Sequence, residues 1–395
     1  MSNLADGVFK LALPLLAIRY TRSPALVAGV QLVQTAPWLL GALQIGALVD
    51  RIDRRRAMVL ANAARAGFVA VPAALVAIDA GGLWMLYLAA IGTGVAEVFY
   101  DTSAQSMLPA IVPRDRLDRA NGRLFAVELG AQEFAGPPLA GVLVAVALAV
   151  PLAASAGLWV IALAVLTTLP GCFRPQRSGP PTSIRADVRE GLSFVLGRRT
   201  LRTMALMVGM SNLASSAVFA VMVLFAVGPG STLELTEPVF GLLFATLAAG
   251  GLVGGIVAER VQWHIGRART IRLSLFGMIA YVVTPALTSN VAVIAVVLFT
   301  AGVMNMLWNV TTVSFRQRVT PDHLLGRMNS AYRLIAWGTR PLGAAAGGIL
   351  GESLGIRSVF VVMGVVSAAT LIPARHLTEQ ALTDAERQAT VSAPA

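Results

Sequence analysis

Gly46-Ala47-Leu48-Val49-Asp50-Arg51-Ile52-Asp53-Arg54-Arg55-Arg56 is a charged turn set between two long apolar runs. Four of its last six residues are arginine, and they follow directly on the run from Ala25 to Val49. Arginine in a short loop resists translocation, so this end of the run belongs on the cytoplasmic face of a membrane. The rest of the topology is counted from here.

Composition agrees with a membrane setting. Of 395 residues, 56% are hydrophobic and 13% charged, against about 25% charged in soluble domains. The net charge of +11 is almost all arginine, with Lys10 the single lysine. Those arginines sit between apolar runs, where positive-inside topology explains them and nucleic-acid binding does not. Cys172 is alone, so no internal disulfide or cysteine metal cluster is expected. His264, His323 and His376 fall in loops or the tail, so no histidine metal site is expected within the membrane. Lys10 follows no glycine-rich loop, which excludes a P-loop in this chain. With no nucleophile elbow either, the reading is not an enzyme and no cofactor is expected. Any transport draws on ion gradients unless a partner hydrolyses ATP.

A membrane helix needs about 20 mostly apolar residues, and the chain offers twelve runs. Six lie in 1–172: Leu4 to Ile18, Ala25 to Val49, Ala57 to Ile78, Leu83 to Ser103, Asn121 to Val150 and Leu152 to Cys172. Six lie in 201–375: Leu201 to Val227, Val239 to Ala258, Ile271 to Thr288, Val291 to Ser314, Met328 to Leu350 and Ser358 to Pro373. Between them 173–200 reads as the central cytoplasmic loop, and 376–395 as a disordered cytoplasmic tail. The first run is short for a bilayer, which points to sequence before Met1 or a start placed too late. With the charged turn inside, the arginines segregate: only Arg19, Arg22 and Arg357 fall in outer loops. The expected protein is all-α and multi-pass, in the cell (plasma or inner) membrane, with both termini cytoplasmic.

The halves repeat. Pro113, Leu117, Arg119, Asn121 and Gly130 recur 208 positions later as Pro321, Leu325, Arg327, Asn329 and Gly338. Gly46, Asp50 and Arg51 recur 209 positions later as Gly255, Glu259 and Arg260. An offset spanning six helices keeps each helix's direction, so the expectation is two parallel six-helix repeats around a central cavity. Each glycine-acid-arginine turn would close the cytoplasmic mouth in its half, or serve only to set topology.

A charge at the bilayer centre costs about 2.5 to 3.5 kcal/mol on insertion scales, so ionisable residues in apolar runs are functional candidates. Asp6 and Lys10, four apart, read either as a proton or substrate site or as a mutually neutralising pair. Glu97 and Asp101 share a face by the same spacing, with Glu97 the deeper and a candidate proton carrier. Glu128 and Glu133 are five apart, about 140° around a helix; Glu128 is favoured for the cavity, with Glu133 the alternative. The second half offers Asn305, Trp308 and Asn309 in one run, and Arg333, Trp337 and Arg340 in the next. Acids of the first half and Arg340 of the second are expected to pair across the cavity. Trp308 and Trp337 line an apolar binding surface or simply pack helices.

The turn resembles the signature of the major facilitator superfamily between its second and third helices, matched by Gly46, Asp50, Arg51, Arg54 and Arg55. Asp53 stands where many members have glycine. With Leu108 to Pro113, Arg119, Asn121, and Gly136-Pro137 followed by Gly141, it resembles the branch of enterobactin exporters and macrolide efflux proteins. The resemblance implies a secondary transporter exchanging protons for lipophilic or amphipathic small molecules, and an importer or a non-transporting receptor as the alternatives. It implies that Arg54 relays charge between Asp50 and Asp101, and that Gly136, Pro137 and Gly141 form an antiport-like element in helix 5. The expected partners are a small-molecule substrate, protons and the lipid bilayer, and the protein is expected to be a monomer.

Overall fold

The computed structural model describes residues 1–49, 52–112, 124, 126–169, 173 and 184–391. Asp50 and Arg51 of the charged turn lie outside the described residues, as do Cys172 and the repeat positions Pro113, Leu117, Arg119 and Asn121. The described chain is nearly all helix. In order, the helices are α1 Ser2–Tyr20, α2 Pro24–Leu40, α3 Ala42–Val49, α4 Arg54–Ala77 and α5 Leu83–Ile111. A π-helical segment, Leu129–Ala135, leads into α6 Gly136–Val146, and α7 is Val150–Thr167. Then come α8 Ile184–Gly197, α9 Arg199–Ala226, α10 Glu237–Ile265, α11 Arg267–Leu287 and α12 Val291–Val319. The chain ends with α13 Asp322–Leu354, α14 Ile356–Ala368, α15 Leu371–Ala374 and α16 Glu379–Val391.

Among the described residues nine helices are long and apolar enough to cross a membrane. Three of the twelve runs fall outside that set for visible reasons. α1 carries Asp6, Lys10 and Arg19, α13 carries Arg327, Arg333 and Arg340, and the run from Ala25 to Val49 divides at Gly41 into α2 and α3. α1 extends beyond the expected Leu4 to Ile18: its 19 residues reach about 28 Å at 1.5 Å per residue.

Local chemistry sets the helix ends. Ser23 caps α2, its side chain accepting from Leu26 N, with Pro24 at the first helical position. Asn290 caps α12 by accepting from Ala292 N and Val293 N at 3.0 and 3.2 Å. Gly266 and Gly355, both at φ 83°, allow the reversals before α11 and α14. Asp53, which replaces the glycine of the resembled signature, caps α4: Oδ1 accepts from Arg56 N at 3.0 Å. Its Oδ2 accepts from Phe173 N at 2.6 Å, so the acid both starts a helix and ties the turn to the end of the first six runs.

The contacts divide the chain into two compact units. Unit 1 comprises Met1–Pro180 and Ala220–Ala245. In it α4 packs on α5 and α7, and α1 on α6 and α7. Unit 2 comprises Pro181–Phe219 and Thr246–Ala395. There α11 packs on α12 and α14, and the amphipathic α8 lies on α13, with Glu190 Oε2 2.5 Å from Arg327 Nη1.

The tail differs from the expected disorder. Leu377 and Leu382 are buried in the core of unit 2, with Ala385 and Ala389 against it. Glu379 Oε1 accepts from Ala268 N at 2.6 Å. Glu386 Oε1 meets Arg267 Nη1 at 2.5 Å and Arg318 Nε at 3.0 Å. A polar segment is thus ordered by two leucines, two alanines and two carboxylates set among arginines.

Candidate functional site

The charges in the apolar runs of unit 1 converge. Asp6 on α1 is buried at 7% exposure, and its carboxylate faces α4 and α7. Arg65 Nη1 lies 3.2 Å from Asp6 Oδ1 and 3.3 Å from Oδ2. Trp159 Nε1 donates to Oδ1 at 3.1 Å, and Phe9 meets the Trp159 ring edge-on at 5.6 Å. Arg65 is 0% exposed. Its Nη1 also donates to Ser2 Oγ at 3.2 Å, which in turn donates to Asn62 Oδ1 at 3.2 Å. The guanidinium carbon sits 4.9 Å from the centre of the Tyr100 ring, where an aromatic face stabilises a cation.

One turn along α1 a second pair forms. Lys10 Nζ lies 2.9 Å from Glu97 Oε1, with the side chains 31% and 12% exposed. Asp6 and Lys10 therefore do not pair chiefly with each other, as their spacing allowed; each reaches across to a different helix. Asp101, one turn beyond Glu97 and half-buried, lies within electrostatic reach of Glu97, Arg65, Asp6 and Lys10. Three carboxylates thus face two cations, a net charge of −1 with every group ionised.

Glu133 rather than Glu128 adjoins this cluster. Its charge acts on Lys10, and it accepts from Gln132 Nε2 at 3.2 Å. The π segment explains the preference, since widening the helix by one residue per turn re-aims the side chains in it. Glu128 precedes that segment and is exposed. Directly after it, Gly136 crosses α1 so closely that a Cβ there would fall 2.6 Å from Gly7 Cα. Gly141 and Pro137 lie against the backbone of Glu237 and Gly241 respectively, both within unit 1. The expected helix 5 element thus lies at close backbone contacts.

At the charged turn, Arg55 Nη1 donates to the Leu169 carbonyl. Among the described residues Arg54 Nε is buried without a hydrogen-bond partner, and Arg54 makes no ion pair with Asp101. The cations within electrostatic reach of Asp101 include Arg65 and Lys10. In unit 2 the counterparts Gly255, Glu259 and Arg260 are exposed on α10. The close glycine contacts there belong to Gly250 and Gly254, which abut Phe299 and Val303 on α12.

The second-half candidates separate. Trp308 is 3% exposed in the unit 2 core. Asn305 and Asn309 are exposed, Asn309 Nδ2 donating to the Asn305 carbonyl at 3.0 Å. The Arg340 guanidinium lies 4.3 Å from the Trp337 ring centre. Arg333 is half-buried on the same helix. Ser216 Oγ donates to the Arg340 carbonyl at 2.7 Å and Asn212 Nδ2 to that of Ala336 at 2.6 Å, beside Pro341, which removes a helix hydrogen bond. Sequence reasoning missed Arg65, Ser2, Asn62, Trp159, Asn212 and Ser216. Arg65 carried a signal: it is an arginine eight residues inside the run Ala57 to Ile78.

The family model of the Major Facilitator Superfamily matches residues 1–342. The chain belongs to the major facilitator superfamily. Within this superfamily it is 29% identical over 413 residues to the multidrug efflux pump Tap of Mycobacterium tuberculosis (strain ATCC 25618 / H37Rv), covering 100% of this chain and 95% of Tap. It is 25% identical over 371 residues to the enterobactin exporter EntS of Salmonella typhimurium (strain LT2), covering 90% and 84%. In fold it is similar to a bacterial homologue of the iron transporter ferroportin in an inward-facing state, with TM-score 0.70 and 16% identity, covering 96% of this chain and 97% of the other. A bacterial homologue of the lysosomal transporter Spinster gives TM-score 0.66 at 13% identity, covering 100% and 96%. The protein is thus a multi-pass membrane transporter, not an enzyme.

Proposed function

We propose that this chain is a proton-coupled exporter of lipophilic or amphipathic small molecules, a drug, macrolide or siderophore, working by alternating access. The full membrane domain is twelve helices in two parallel six-helix repeats, in the cell membrane, with both termini cytoplasmic. The protein acts as a monomer. The observation that carries the coupling is the convergence of Asp6, Glu97 and Asp101 on Lys10 and Arg65 inside unit 1. The direction of transport is supported by the likeness to Tap and EntS.

The two ion pairs take different parts. Asp6 accepts from Arg65 and Trp159 in a sealed site, so it positions Arg65. Lys10 and Glu97 are partly exposed, so water can deliver a proton to Glu97. Protonation there removes the attraction to Lys10 and leaves an ammonium that must move or find another acid; Glu133 is the acid whose charge already acts on it. A lipophilic cation seated near Glu97 would compete with that proton, which couples the two fluxes. The glycine-acid-arginine turns at Gly46 to Arg55 and Gly255 to Arg260 act as cytoplasmic gates of their own halves.

The test is dye-reported proton release from acidified inside-out vesicles. Macrolides, lipophilic cations and siderophores are added one class at a time. Fluorescence recovery with one class, lost in Glu97→Gln, is the expected result. Full recovery in Glu97→Gln, or none with any compound from folded protein, overturns the reading.

A further inference from the structure

One edge of the Arg65 guanidinium is unpaired among the described residues. The guanidinium is 0% exposed and its Nη1 is engaged by Asp6 and Ser2, yet its Nε and Nη2 are buried without a hydrogen-bond partner among the described residues. These two atoms form one edge of the guanidinium, a pair of near-parallel donors matched to the two oxygens of a carboxylate. Arginine does not deprotonate in proteins, so the edge stays charged and its burial is costly until an acceptor fills it. Asn62 Nδ2, whose Oδ1 accepts from Ser2, is likewise buried without a partner among the described residues.

The candidates for that acceptor narrow by occupancy. Asp6 already accepts from Arg65 and Trp159. Glu97 is held by Lys10 at 2.9 Å. Tyr100 offers its ring face rather than its edge. Asp101 alone is a carboxylate in electrostatic reach of Arg65 that makes no hydrogen bond or ion pair among the described residues. It is also half-buried, so it meets water while Arg65 does not.

We infer that the open edge of Arg65 is a docking site for the Asp101 carboxylate, and that loss and gain of one proton on Asp101 docks and releases it. Ionised Asp101 is drawn into a two-bond pair on Arg65. Protonated Asp101 lacks the charge and is released. The other charged or titratable groups facing this site are Asp6 and Lys10 from α1 and Glu97 and Tyr100 from α5, with Glu133 acting through Lys10. Arg65 is therefore a positioning residue, and Asp101 is assigned to it rather than to Arg54. The inference deepens the proton-coupled reading and rests on it.

The experiment is infrared difference spectroscopy between acidic and neutral pH on the full chain in lipid vesicles, following the carbonyl band of a protonated carboxyl. The wild type is expected to show such a band with a component from Asp101, which Asp101→Asn loses and Glu97→Gln keeps. In Arg65→Lys the charge remains but the fork is gone, so ionised Asp101 is held less well. The band's midpoint should then move to higher pH by about one unit, tenfold in proton affinity. A band left unchanged by Asp101→Asn, or an unmoved midpoint of the Asp101 component in Arg65→Lys, overturns the inference; waters filling the fork would give the second of these. The spectra need no substrate, so failure of antiport shows only in the vesicle assay and failure of the switch only in the spectra.

Discussion

Asp6 accepts two hydrogen bonds, one each from Arg65 on α4 and Trp159 on α7, and the cost of removing each partner differs in kind. Trp159→Phe deletes one hydrogen bond to a charged group and keeps the ring beside Phe9, a loss of about 1.5 to 3 kcal/mol. Asp6→Asn leaves a fully buried guanidinium without its counter-charge, a loss of about 3 to 5 kcal/mol. Thermal inactivation of the purified protein in detergent should therefore rank wild type above Trp159→Phe and that above Asp6→Asn; the reverse order of the two variants removes Arg65 from the centre of the cluster. Glu97→Gln breaks a partly solvated pair, so it is expected to cost less stability than Asp6→Asn while cutting proton-driven transport more than tenfold. Asp6, Lys10 and Glu97 were legible in the sequence because an ionised group in an apolar run is anomalous wherever it sits. Their partners were not, because pairing depends on which helices touch, and spacing along one helix reports only its own face. Arg65 was equally anomalous, but a single arginine barely changes the mean hydropathy of a run rich in alanine and valine.

The elements that hold this cluster are seams of small residues. Where α1 crosses the start of α6, Gly7 and Gly136 bring two backbones together, and the π segment just before turns Glu133 toward Lys10. Gly136→Leu inserts a branched side chain where a Cβ alone does not fit, and overpacking costs about 1 to 3 kcal/mol. Expression at reduced yield with transport lost is the expected outcome, against near-normal behaviour for Gly157→Leu, which has open space around it. Equal effects at the two positions would show that α1 and α6 do not meet there. The glycine-proline element is readable as a motif, but the π segment has no sequence mark in Leu129 to Ala135, so spacing alone leaves both Glu128 and Glu133 open. The tail was misread for a similar reason. Leu382, Ala385 and Ala389 make a stripe three and four apart that is narrow because two of its members are alanine. Leu382→Asp places a charge in the core of unit 2 and should free α16 to limited proteolysis, whereas Gln380→Asp, on an exposed position, should not.

For the molecule as a whole, the arginines make a claim about sidedness that can be tested apart from transport. The charged turn from Asp50 to Arg56 and the loop that follows Cys172 carry the positive charge that resists translocation, whereas residues 228–236, between α9 and α10, carry no arginine or lysine. Cys172 is the chain's only cysteine, so the native protein already holds a single reporter on the side proposed to be cytoplasmic. In intact cells a membrane-impermeant maleimide should leave Cys172 unlabelled, and in inside-out vesicles it should label it. A second reporter fixes the other face: Thr232 is exposed in the loop after α9, so Thr232→Cys in a Cys172→Ser background should label in intact cells. An odd number of crossings separates the two positions in the twelve-helix topology, because only α9 lies between them as a span. If both cysteines label from the same side, either α9 does not cross or the central segment does. Since α9 is 28 residues long, about 42 Å at 1.5 Å per residue, its length alone is ample for a hydrocarbon core of about 30 Å. Same-side labelling would therefore have to come from the segment 173–200, and would overturn the cytoplasmic assignment of that loop while leaving the charge cluster of unit 1 untouched.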